Sequence, residues 1–206
     1  MTDDQTAASA AQATRPMVRI ERHGHIAELV LDRPEAMNAV STAMARTIAA
    51  ATAELAADPE VRAVVLTSSH EKAFCVGADL KERNTMTDAD LVQVRPVHRS
   101  GYGGVLNLPM PAIAAVEGFA FGGGMELALS CDIIIAGEGA TMGLPEVAVG
   151  VIPGGGGTQL VARRIGWSRA AQLIFTAAKL PAPQMARFGL IDELVAAGTA
   201  RERALE

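Results

Sequence analysis

The segment from Pro111 to Ile135 constrains this chain more than any other, because its apolar residues run on long enough to raise the question of a membrane span. Three carboxylates, Glu117, Glu126 and Asp132, and several glycines interrupt it, and a bilayer core disfavours such groups. It reads as buried protein core. Within it, Ala112 to Val116 has the length and unbroken apolar character of a strand covered on both faces. Gly122-Gly123-Gly124 then predicts a turn, Met125 to Ser130 a helix, and Ile133 to Ile135 a further buried strand. Strand, glycine turn, helix and strand together point to an α/β protein.

The rest of the chain keeps the same alternation. Met17 to Arg22 and His25 to Leu31 read as strands of a hairpin around His23-Gly24. Val40, Met44, Ile48, Ala51 and Leu55 follow a helical period that stops at Asp58-Pro59, and Ala63 to Thr67 is another buried strand. Asp88 to Leu108 reads as mostly helical, with Pro96 and the glycines at 101, 103 and 104 disturbing its course. Beyond residue 156, Leu160, Ile165, Leu173 and Ile174 fall at helical positions, and Leu190 to Val195 reads as a short return strand. At 206 residues, half of them hydrophobic, the chain suits one main domain and is not a disordered one. Few aromatics and 20 glycines imply close backbone packing.

A net charge of −5 without a dense Lys/Arg cluster leaves no footprint for nucleic acid or an anionic membrane surface. Two cysteines, Cys75 and Cys131, with no CxxC spacing, make neither a disulfide framework nor a zinc site, which fits a reducing cytoplasm. Residues 1 to 15 lack the pattern of a secretory signal and are expected to form a flexible tail. The core domain is expected over 16–195. Over 196–206, Thr199-Ala200-Arg201-Glu202 reads as a capping box opening a helix with only four residues left, so a C-terminal helical segment is expected to be missing or truncated.

Phosphate-loop and zinc-protease motifs are absent, and Gly166 to Ala170 misses the nucleophile-elbow pattern at its last position. His23 and His25 alternate on one strand face without a carboxylate pair at matching spacing, so they read as solvent-facing. His70 and His98 read as structural or exposed. The unusual features are three. Glu126 lies one turn into an apolar helix opened by three glycines, whose unpaired first-turn amides suit an anion or oxyanion. Glu146 follows Pro145 at a turn leading into an apolar segment. Taken singly, each acid also fits an ordinary helix start; as a pair in apolar surroundings they raise each other's pKa and suit acid/base chemistry. The third feature, Phe74-Cys75-Val76-Gly77-Ala78-Asp79-Leu80-Lys81, follows the buried 63–67 strand, where Gly77 lets the chain turn and present the Ala78 amide; its plainer reading is a connection with an Asp79 cap.

Together these segments resemble the enoyl-CoA hydratase/isomerase (crotonase) family. The resemblance rests on Ala112 to Leu127, Arg33-Pro34-Glu35-Ala36-Met37-Asn38-Ala39, the 73–81 segment, and Leu144-Pro145-Glu146 through Ile152 to Gln159, in the family's order over about residues 17 to 195. It implies a crotonase-like (ClpP/crotonase) α/β fold of repeated ββα units. It implies an oxyanion hole from the Ala78 and Gly123 amides, acids at Glu126 and Glu146 flanking a water, and a substrate path along Arg33, Ala36, Ala78, Asp79, Leu80, Lys81 and Gly123. The implied activity is hydration of a trans-2-enoyl-CoA to a 3-hydroxyacyl-CoA in lipid metabolism, with coenzyme A part of the substrate, no further cofactor, no metal, and a homotrimer or hexamer. The alternatives are an isomerase or other CoA-enolate enzyme, and a non-catalytic acyl-CoA-binding protein. Thr176 to Lys179 departs from the family in lacking a glycine usual there.

Overall fold

The computed structural model describes residues 16–206, so the tail expected over 1–15 lies outside the described residues. In chain order the strands are β1 (Val18–His23), β2 (Ile26–Leu31), β3 (Ala63–Ser68), β4 (Ala73–Cys75) and β5 (Ala112–Val116). They continue as β6 (Phe119–Phe121), β7 (Ile133–Gly137), β8 (Thr141–Gly143), β9 (Lys179–Pro181) and β10 (Glu193–Val195). The helices are α1 (Thr42–Ala57), α2 (Leu80–Arg83), α3 (Asp88–Leu106), α4 (Gly123–Leu129), α5 (Gly157–Ile165), α6 (Trp167–Phe175), α7 (Ala182–Phe188) and α8 (Ala200–Leu205).

Two sheets share the work. The larger has the order β1-β2-β3-β5-β7-β10, parallel except for the β1/β2 hairpin, and the smaller has the order β4-β6-β8-β9. Each of the pairs β3/β4, β5/β6 and β7/β8 places its longer strand in the first sheet and its three-residue strand in the second. A helical segment follows each pair, which is the ββα repeat of the expected α/β fold. Sequence reading missed the second sheet: three residues are too short to show a period, so 119–121 and 141–143 carry no pattern of their own.

Small residues set the layer above. Ser41 caps α1, its Oγ accepting from the Met44 amide at 3.2 Å, and Met44, Ala45, Ile48 and Leu55 face the core. α3 runs unbroken through Pro96 and crosses α1 closely: a Cβ on Gly104 would stand 2.2 Å from Thr52 Oγ1. The glycines that blurred this helix in the sequence are thus what lets the two helices approach.

The opposite face of the large sheet, Val65, Ala115 and Ile135, is covered by Ala200 and Ala204 of α8. The expected capping box does not form there, since Thr199 Oγ1 donates to the Ala196 carbonyl instead. Glu117, at the end of β5, takes its place, and its Oε1 accepts from the Gly198 and Ala200 amides at 3.0 Å each. A six-residue helix too short to persist alone is held by sheet packing and a borrowed cap. Among the described residues no helix is long and apolar enough to cross a membrane.

Candidate active site

The chain between β4 and α2 is tied to the start of α1. Val40 donates to the Gly77 carbonyl at 2.7 Å, and the Asp79 amide donates to the Val40 carbonyl at 3.1 Å. In this parallel bridge the groups flanking Ala78 point toward Val40, so the N–H of Ala78 itself is turned to the other side. That side holds the start of α4. Gly77, at φ +96°, lies so close that a Cβ there would stand 2.8 Å from the Phe121 carbonyl and 3.1 Å from the Gly123 amide nitrogen. Gly123 is the first residue of α4, so its N–H has no acceptor within the helix. Gly122 enters it at φ +52° with its own amide bound to the Gly143 carbonyl at 2.9 Å. Two free backbone donors therefore sit on touching segments, Gly77–Ala78 and Gly122–Gly123.

The two acids arrive from α4 and from the 3₁₀ turn Glu146–Val149. Glu126 is 3% exposed, and its Oε1 accepts from the Gly155 amide at 2.7 Å and the Gly157 amide at 2.8 Å. Burial raises its pKa, and the two amides oppose the rise. Gly155 and Gly157 must come this near: a Cβ on either would be within 3.0 Å of a Glu126 carboxylate oxygen. Glu146 points Oε1 at Gly122, while its Oε2 is buried without a partner among the described residues. Burial, with a smaller push from the Glu126 charge, takes its pKa up to about 7. Ala78, the first turn of α4 with Gly123 and Glu126, and Glu146 are thus gathered from three separate segments around Gly122–Gly123.

The remaining expected residues divide. Arg33 is not a free cation: its Nη1 donates to Asp79 Oδ2 at 2.7 Å and to the Ala39 carbonyl at 2.8 Å. Asp79 in turn caps α2, accepting from the Lys81 and Glu82 amides at 3.0 and 3.1 Å. Burial lifts the Asp79 pKa, but Arg33 and these amides win and hold it below the usual carboxylate range. Leu80 and Lys81 follow on the exposed side of this loop, and Ala36 lies half-buried in the 3₁₀ turn Pro34–Ala36.

Sequence reading also missed supporting residues. Asn38, fully buried at φ +56°, donates from Nδ2 to Ser68 Oγ and the Phe74 carbonyl and accepts from the Arg33 amide, pinning the 33–40 turn to β4. The glycine run 154–157 carried the signal for the Glu126 cradle. Tyr102 of α3 packs against Gly123 and Gly155, and nothing in its helical position announces that.

Away from this site His23 and His25 are exposed, as their alternation suggested, but a carboxylate pair does lie beside His23. Glu21, His23 and Glu28 bring ligand atoms within 4.8 Å of one another, because the hairpin register sets Glu21 opposite Glu28. Spacing along one strand conceals a carboxylate supplied by the next. Arg201 already binds both Glu28 oxygens, at 2.6 and 2.7 Å, so the group is an ion-pair cluster. His98 is buried at 7% exposure, its Nε2 3.4 Å from Thr42 Oγ1.

Two sheets of ββα repeats that bring paired backbone donors beside a buried acid and a half-buried one define a crotonase-type protein. The chain belongs to the enoyl-CoA hydratase/isomerase family, whose model matches residues 21–206. It is 42% identical over 181 residues to the probable enoyl-CoA hydratase 2, mitochondrial, of Arabidopsis thaliana, covering 88% of this chain and 60% of that protein. It is 40% identical over 178 residues to the short-chain-enoyl-CoA hydratase of Clostridium acetobutylicum, covering 86% of this chain and 68% of that protein. The solved enoyl-CoA hydratase from Bacillus anthracis superposes with a TM-score of 0.89 at 36% identity, over 92% of this chain and 74% of that one. Carnitinyl-CoA hydratase from Mycobacterium avium gives 0.83 at 41% identity, over 93% and 73%. The chain thus spans about three-fifths of the length of the Arabidopsis relative.

Proposed function

We propose that the protein adds water to a trans-2-enoyl-CoA, giving the 3-hydroxyacyl-CoA. The observation that carries this reading is the pair of acids, Glu126 buried against the Gly155–Gly157 loop and Glu146 half-buried with Oε1 beside Gly122, both raised in pKa next to the Gly122–Gly123 backbone. In this reading the thioester oxygen accepts from the Ala78 and Gly123 amides. Glu126, held by Oε1 to the glycine loop, takes a proton from water through Oε2 as the water oxygen bonds to C3. The double-bond electrons move onto the thioester oxygen, where each preorganised donor is worth about 3 kcal/mol. Glu146, still protonated near neutral pH, gives its proton to C2 as the carbonyl reforms. One water is added, and proton exchange resets the acids.

The Arg33–Asp79 pair fixes the loop beside which the CoA portion would run, past Ala36 and along Leu80 and Lys81. A place in fatty-acid metabolism, a cytoplasmic location and a trimeric or hexameric assembly belong to the same proposal.

Turnover of a short and a long trans-2-enoyl-CoA tests it. Glu126→Gln and Glu146→Gln should each lower kcat about a thousandfold while acyl-CoA affinity stays within a few fold. Near-normal hydration in either variant overturns the reading. Double-bond migration lost only with Glu146→Gln would select isomerisation, and binding without turnover would select a carrier of acyl-CoA.

A further inference from the structure

Tyr102 is the only tyrosine in the chain and lies on α3 at 7% exposure, facing the first turn of α4. Its hydroxyl oxygen is pressed against Gly123: a Cβ on that glycine would stand 2.0 Å from it. The ring extends back to Gly155, where a Cβ would meet Cγ at 2.9 Å and Glu126 Oε2 at 2.8 Å. One side chain therefore spans the distance from the loop that holds Glu126 to the residue whose amide is a free donor. The hydroxyl has no hydrogen-bond partner among the described residues, and its oxygen is not among the atoms sealed from solvent. A hydroxyl with no protein acceptor is free to donate to a bound ligand, whereas a phenylalanine would fill the same ring volume and offer no donor. The group also stays a donor at all working pH, because burial, with smaller contributions from Cys75 and Glu126, holds the phenol well above its ordinary pKa.

We propose that the Tyr102 hydroxyl is a third hydrogen-bond donor to the thioester oxygen of a bound acyl-CoA, beside the Gly123 and Ala78 amides. This deepens the reading of the site as one that forms a CoA enolate, and rests on it. A donor at this place strengthens its bond as charge gathers on the oxygen, so its contribution grows from substrate to enolate.

The test compares two ligands on the full chain: a saturated acyl-CoA, and a 3-oxoacyl-CoA whose bound enolate is seen by its ultraviolet absorbance. Tyr102→Phe should weaken binding of the enolate form about tenfold or more while saturated acyl-CoA changes less than twofold, and kcat should fall with little change in KM. Because the chain has one tyrosine, growth on 3-fluorotyrosine replaces this residue alone. The more acidic phenol should tighten enolate binding, and its fluorine resonance should move on adding the 3-oxoacyl-CoA. Equal losses for both ligands in Tyr102→Phe, or no loss for either, overturn the proposal, as does an enolate affinity unchanged by fluorination. The binding arms do not depend on turnover, so a wild-type chain that binds the enolate form but hydrates nothing would sink the hydratase reading and leave the donor role standing.

Discussion

Single residues at this site are placed for charge more than for bulk. Glu146 shows it in two ways that share one cause, its pKa near 7. If it delivers a proton, hydration should fall as pH rises through about 7, and the fall should disappear from the residual rate of Glu146→Gln. Its effect on stability has the opposite sense to that of an ion-paired acid. A carboxyl raised in the folded state keeps its proton there after the unfolded chain has lost it, so folding is progressively penalised as pH rises from its ordinary value to about 7. Glu146→Gln removes the penalty. The variant should gain about 1 kcal/mol on wild type between about pH 5 and about pH 8, a figure reduced for partial exposure. Urea midpoints at the two pH values would measure it, and an equal difference at both would show that Glu146 titrates normally.

Elements show which parts of the architecture the amino-acid pattern could announce. Four of the five long strands of the large sheet were legible because each carries a run of apolar residues with clear stops, as in Ala63–Ser68 and Ala112–Val116, and β1 was legible from its place before the His23-Gly24 turn. Glu126 and the glycines that open α4 were legible because charge in an apolar segment is rare. β4, β6, β8 and β9 were not, because three-residue strands are chosen by neighbours rather than by their own sequence. Caps across the chain were equally hidden. Thr199 and Glu202 have the spacing of a capping box, yet Glu117 holds the start of α8 from 83 residues away. Glu117→Ala should therefore lower stability by about 1 kcal/mol, whereas Thr199→Val should change it by only a few tenths. Glu117→Gln, which keeps an acceptor, should recover much of the loss. Thermal unfolding of the three variants would decide, and a larger loss with Thr199→Val than with Glu117→Ala would restore the local box.

At the scale of the whole molecule, the last turn of the described chain is tied to its first hairpin. Glu28 is fully buried in β2, on the sheet face that α8 covers, and Arg201 of α8 binds both its oxygens while Thr67 and His23 fill the remaining places. Burial alone would raise the Glu28 pKa, but Arg201, Thr67 and His23 together lower it. A carboxylate lowered in this way supplies stability at neutral pH that is lost as pH falls through its folded value. Arg201→Met leaves the charge buried and unpaired, so the sign reverses. The variant should be less stable by about 2 kcal/mol at pH 7, below the range for fully buried pairs because the Arg201 side chain is half exposed. The deficit should shrink as pH falls to about 4 and Glu28 takes up a proton. Glu28→Gln combined with Arg201→Met should recover most of the loss at neutral pH, because no buried charge then remains. Unfolding midpoints of the single and double variants across this range are the measurement. A deficit that stays constant with pH would mean that Arg201 acts through packing of its stem on the sheet, and that the ends of the fold are joined by apolar contact alone.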